Sequence, residues 1–192
     1  MNRVKKILRN FILIFALLLI VMKLTDMHFT PIAAYREEEK RKHYGPSEVM
    51  QVQKLGEERF VIAKYDKWFS AQDYWPGWRF LWIGSPKTSI IENNKKKAIC
   101  SRFESGINSG YYIVYGVVND KKIKRVEVTL QTGKNFSQTK FKDGLFSLSW
   151  KDENWEDSEP VDKIIRGYDG DNKIIFEDKV QGVGMFEGEF AG

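Results

Sequence analysis

The sequence predicts a mainly-β protein: a small β-sandwich, immunoglobulin-like or similar, preceded by an N-terminal membrane helix and a short helical stalk. Three observations carry this. Residues 11–22 read FILIFALLLIVM, with no polar side chain. Residues 46–178 alternate short apolar or half-apolar runs with Gly, Asn and Asp turn signals, the pattern of a sandwich or barrel. The 192 residues include a single Cys, so neither a disulfide framework nor a cysteine zinc site can hold the fold, whereas a hydrophobic content of 42% suffices for a core.

The first segment divides into a basic stub, residues 1–10, and an apolar helix over 7–29. The run Phe11–Met22 alone spans about 18 Å, short for a hydrocarbon core of about 30 Å. Extended to Ile7–Leu24 it reaches about 27 Å, with Arg9 and Lys23 snorkelling to the interfaces. Lys23, Leu24, Thr25 and Asp26 stand where a signal-peptide cleavage site needs small residues. The nearest alternative cut follows Ile32-Ala33-Ala34. An uncleaved anchor is therefore expected, with a cleaved signal as the alternative. The basic residues before the run put the N-terminus in the cytoplasm and the remainder outside, at the cell membrane.

Residues 30–45 read as a helix. Thr30 can cap it, Pro31 suits its first position, and Gly45-Pro46 stops it. Glu37–Arg41 and Glu38–Lys42 are i,i+4 pairs in the favourable order. The helix serves as a stalk, or packs on the domain through Ile32, Tyr35 and Tyr44.

From residue 46 the signals are strands. Residues 49–54 and 59–65 flank Leu55-Gly56-Glu57-Glu58, a hairpin. Residues 80–83 and 97–103 follow. Tyr111–Val118 is continuously apolar, as in a central strand covered on both faces. Residues 124–131 alternate, with Val126, Val128 and Leu130 on one face. Lys142-Asp143-Gly144 reads as a hairpin turn between 136–141 and 145–150. Asp169–Asn172 reads as a turn between 163–168 and 173–177. Residues 179–192 form a Gly-rich tail.

The net charge of +5 is concentrated at the N-terminus: residues 1–30 carry five basic side chains and one acid, and residues 31–192 carry 26 and 25. The folded part thus lacks the positive field that nucleic-acid binding uses, and no nucleic-acid partner is expected. Within it, residues 31–140 are net positive and 141–192 net negative. The halves neutralise each other in one domain, or meet head to tail between copies.

Stretches HYGPSEV (43–49), KYDKWFSA (64–71), YYIVYGVVNDKKIKRVEVTL (111–130), DGLFSLSW (143–150) and IIRGYDGDNKIIFED (164–178) resemble a group of uncharacterised single-pass surface proteins of Bacillus-type Firmicutes. The resemblance implies a membrane-tethered exported β-domain. It implies no activity.

Candidate chemistry is sparse. Both histidines, His28 and His43, precede the strands, which removes a Ser-His-Asp triad, a Cys-His dyad and a histidine zinc site unless His43 folds back. Cys100 reads as a buried structural thiol. The acidic loop with Asp152, Glu153, Glu156 and Asp157 offers hard oxygen ligands suited to a cation such as Ca²⁺, or is simply solvated. Asp169–Asn172 begins like a calcium loop but continues with Lys173, so a plain turn is expected. Lys95-Lys96-Lys97 is a basic loop able to touch anionic wall polymer or lipid head groups. Residues 65–82 concentrate aromatics. Trp68, Trp75 and Trp78 are the candidate ligand-binding residues, because exposed rings stack on sugars and peptides; core filling is the alternative. No cofactor is expected. The functional expectation is a non-enzymatic binding or interaction module at the cell surface, partnered by cell-wall polymer or another surface protein. The alternatives are a carboxylate hydrolase acting on wall glycan and a regulator of a membrane partner.

Overall fold

The computed structural model describes residues 3–78, 80–85, 88–106, 110–152 and 163–180. Helix α1 spans Arg3–Leu24 and is long and apolar enough to cross a membrane. Its apolar side chains are exposed, apart from Leu18, which is half-buried, and Met22 in the last turn, which is buried.

Helix α2, Pro31–Arg41, begins as its sequence dictates. Pro31 occupies the first turn, and the Thr30 hydroxyl accepts a hydrogen bond from the Ala33 N–H at 3.0 Å. The helix does not stand free as a stalk. It lies against a sheet, burying Ala34 and Tyr35 against Val61, Ala63 and Tyr74. The Tyr35 hydroxyl bonds Ser47 Oγ at 2.7 Å and Ser70 Oγ at 3.1 Å. Burial raises the Tyr35 pKa, more than those hydrogen bonds lower it. Ile32 is exposed. Of the expected charge pairs, Glu38–Lys42 forms at 2.9 Å. Arg41 turns instead to Glu38 and Asp26, and Glu37 to Lys40.

The strands are β1 Glu48–Leu55, β2 Glu58–Tyr65, β3 Trp68–Trp78, β4 Leu81–Gly84, β5 Ser89–Glu92, β6 Ile99–Ser105, β7 Tyr111–Val118, β8 Arg125–Leu130, β9 Asn135–Gln138, β10 Leu145–Lys151, β11 Lys163–Tyr168 and β12 Ile174–Val180. They form three antiparallel sheets. The first has the order β1-β2-β3-β4, with β5 pairing the other half of β3. The middle sheet is β10-β7-β6 and the third is β12-β11-β8-β9.

The sheets and α2 stack in layers, each pair holding its own apolar cluster. Alternation along β2 shows how. Val61 and Ala63 face α2, while Phe60 and Ile62 face the middle sheet. Strand β7 repeats the device. Ile113, Tyr115 and Val117 meet the first sheet, and Val114 meets the third, so the continuous apolar run has both faces covered as expected. Between the middle and third sheets lie Phe103, Val126, Val128, Phe146, Trp150 and Ile165 among others.

The protein is thus mainly β, with the expected sandwich formed by the middle and third sheets. With β6–β12 lettered A to G, those sheets are A-B-E and D-C-F-G. Immunoglobulin constant domains order them A-B-E-D and C-F-G, so the fourth strand here stands in the other sheet.

Several expectations need correction. Residues 142–144 do turn, with Asp143 and Gly144 both at positive φ, but β9 pairs β8 while β10 pairs β7, so no hairpin joins them. Strand β5 carried no strand signal of its own. Strand β12 runs on to Val180, which is buried, so the tail cannot begin at residue 179; residues 181–192 lie outside the described residues. Cys100 is buried, with Sγ 3.4 Å from the Asn94 carbonyl, as its apolar context suggested.

Candidate functional site

The aromatic candidates come from one strand. β3 is eleven residues long and carries Trp68 at its start, Trp75 near its far end and Trp78 as its last residue. Pro76 and Gly77, a pair that ordinarily marks a turn, lie within the strand instead. Pro76 pairs with Trp82, and an irregularity between Pro76 and Trp78 absorbs the missing proline N–H. Trp78 pairs with Leu81, so the chain reverses between these two residues. Trp68 and Trp75 are seven residues apart. They lie on opposite faces of the strand and about 23 Å from each other along it. Both are half-buried, and Trp68 has the Lys67 ammonium 5.4 Å from its ring centre. They do not form one stacking platform.

Of the acidic candidates the structure describes Asp152 alone. Asp152 follows β10, is half-buried, and donates its backbone N–H to the Gly110 carbonyl at 2.9 Å. Glu153, Glu156 and Asp157 lie outside the described residues. Among the described residues no group of three His, Cys, Asp or Glu side chains is placed to hold a metal ion. Asp169 caps its own turn, accepting from the N–H groups of Asp171 and Lys173 at 2.9 Å, in line with the plain-turn reading.

A groove of about 750 Å³ opens where the first sheet meets the end of the sandwich. The end of β2 supplies Lys64, the start of β3 supplies Phe69, and the segment after β5 supplies Asn93 and Lys95. The loop after β7 adds Asp120, Lys121 and Lys124, and the turn before β10 adds Asp143. Four lysines thus face two aspartates, over an apolar floor that includes Val117, Ile123 and Phe141.

Local chemistry explains the arrangement. Asn119 ties two of these loops together, its amide donating to Asn93 Oδ1 at 2.8 Å and to the Lys97 carbonyl at 3.0 Å. Asp120 closes its own turn by accepting from the Lys122 N–H at 2.9 Å. The Lys124 ammonium donates to the Lys121 carbonyl at 2.9 Å. Between the first and middle sheets the Tyr115 hydroxyl bonds Ser89 at 3.0 Å, and full burial raises its pKa well above the ordinary tyrosine value.

The groove includes Lys95 from the basic loop but neither Trp68 nor Trp75; the Trp78 side chain lies outside what the structure describes. Lys64, Asp120, Lys121 and Asp143 were not singled out from the sequence. A signal for them exists. In antiparallel sheets alternate turns fall at the same end, so the turns at 66–67, 119–122 and 142–144 can gather although the sequence separates them.

Compared with known proteins, the chain matches no family model, no curated protein and no solved structure.

Proposed function

We propose that the protein is a membrane-anchored, non-enzymatic binding module. Helix α1 spans the cell membrane with its basic N-terminus in the cytoplasm, and the β-domain presents the lysine-lined groove outside to anionic cell-wall polymer. One observation carries this reading: Lys64, Lys95, Lys121 and Lys124 converge on one groove at the end of β3 remote from α1. Phe69, in that groove, and Trp78, at the α1 end, are nine residues apart on one strand, or about 30 Å. The groove therefore lies at the end of β3 far from the anchor, a position that suits a partner beyond the membrane surface. Converging ammonium groups suit the phosphate or carboxylate repeats of such a polymer, and the apolar floor suits its sugar or alditol faces.

A hydrolase would need two carboxylates free to serve as acid and base. Asp120 is instead engaged with the backbone of its own turn.

The test is co-sedimentation of the detergent-solubilised full chain with purified wall polymer. Binding should weaken with added salt, and the Lys64→Glu, Lys121→Glu double variant should lose at least about tenfold in affinity, on the order of 1.4 kcal/mol. Binding indifferent to both changes would exclude the groove. Release of soluble sugar that stops in Asp143→Asn would support the hydrolase instead.

A further inference from the structure

The other end of β3 carries a surface that the groove does not explain. Phe80, beside the β3–β4 reversal, is 50% exposed and stacks on Phe29, also 50% exposed, with ring centres 6.5 Å apart. Leu24 and Ile32 are exposed close by in the chain. The Phe29–Phe80 pair thus makes an apolar tip that is half open to its surroundings.

The tip is fixed to the end of α1. The Thr25 N–H bonds the Val21 carbonyl at 2.9 Å, and the Met27 N–H bonds the Met22 carbonyl at 3.0 Å, so the chain stays wound just past the helix. The next residue, His28, pairs with Trp82 of β4. Met22, in the last turn of α1, is already buried. The β3–β4 reversal and the helix end are therefore parts of one structure.

Length then decides the depth. Ile7–Leu24 covers about 27 Å, slightly less than a hydrocarbon core of about 30 Å. A helix with no length to spare keeps Leu24 at the hydrocarbon boundary. Phe29 is five residues further on, at most about 18 Å if fully extended, and the wound chain brings it closer. The head-group layer beyond the boundary is roughly 5–8 Å deep. Exposed aromatic and aliphatic side chains at that level lie in lipid more favourably than in water.

We propose that Phe29 and Phe80 dip into the head-group layer of the membrane that α1 spans, so that the domain sits on the bilayer surface with its β3–β4 tip inserted. This rests on the reading of α1 as a membrane span. The tip is a lipid-docking surface, and it fixes the tilt of the domain so that the groove points outward.

The experiment places one nitroxide label at a time on the full chain, in a Cys100→Ala background, reconstituted in phosphatidylcholine–phosphatidylglycerol vesicles. Phe80→Cys reports the tip, Ile14→Cys the middle of α1, and Lys95→Cys the groove. Relaxation by oxygen, which concentrates in lipid, is compared with relaxation by a water-soluble nickel chelate. The expected order is residue 14 deepest, residue 80 at head-group depth, and residue 95 fully aqueous. Residue 80 as aqueous as residue 95, with residue 14 deep, would overturn the docking and leave the anchor standing. Residue 14 as aqueous as residue 95 would overturn the anchor and the docking together.

Discussion

The backbones of His28 and Trp82 exchange two hydrogen bonds, each N–H donating to the other's carbonyl, at 2.9 Å and 2.7 Å. The link between helix and domain is therefore an extra lane beside β4 rather than a loose tether. His28→Pro removes one of these donors, whereas His28→Ala keeps both. His28→Pro should raise the rate of protease cleavage between residues 24 and 31 of the full chain by about tenfold, matching one lost hydrogen bond of about 1.4 kcal/mol. His28→Ala should be cleaved like the parent. Equal cleavage of all three would mean that the pairing does not hold the link.

Glu38 gives the docked helix a dependence on acid. Burial pushes its carboxyl pKa up, but hydrogen bonds from Lys42 and Arg41 outweigh burial and leave it below the ordinary value. A lowered pKa in the folded state means that the stabilisation is present at neutral pH. It disappears as pH falls through the carboxylate range, where the unfolded chain binds the proton first. Arg41 is more than half exposed, so the effect is small, at most about 1 kcal/mol. Glu38→Gln should lower the melting temperature at pH 7 and converge on the parent below about pH 4. A constant difference between the two across that range would exclude the ion pairs as its source.

Two tryptophans should separate on truncation. Trp150 is buried in the sandwich core, its ring 5.3 Å from Phe136, 5.9 Å from Tyr112 and 6.0 Å from Phe103. Trp82 is half-buried at the edge of the α2 layer, with the Arg59 guanidinium 5.2 Å from its ring centre. Trp150→Ala should cost about 3–5 kcal/mol in denaturant melting, and Trp82→Ala roughly half as much. A larger loss from Trp82→Ala would make the α2 layer, rather than the sandwich, the chief source of stability.

Which face a residue takes was legible in the sequence; which strand it pairs with was legible only across the short turns that join β1 to β2 and β11 to β12. The alternation of Val126, Val128 and Leu130 places all three in the core, and Thr30 and Pro31 start α2 where they should. Period-two patterns fix the inward side chains and leave the neighbouring strand open. The Asp143-Gly144 turn is a case in point. Its residues are those of a tight hairpin, yet its two arms join different sheets, because Tyr111–Val118 offers β10 an apolar edge that β9 does not. The groove was hidden for a related reason. Its lysines come from the end of β2 (Lys64), the segment after β5 (Lys95) and the loop after β7 (Lys121 and Lys124), and only the stacking of sheets brings them together.

Sharing one middle sheet between two cores also imposes an order on biosynthesis. The first sheet is complete once Glu92 has been made, but the cluster beneath it also contains Ile113, Tyr115, Val117 and Leu145. Roughly fifty further residues must be polymerised before that face can be covered, about 3–10 seconds at 5–20 residues per second. During that interval the nascent chain displays Phe60, Ile62 and Phe69 to whatever surrounds it. A ribosome pausing between codons 92 and 145 would prolong that display, so this protein's exposure to holdases and proteases is governed by translation speed in that window.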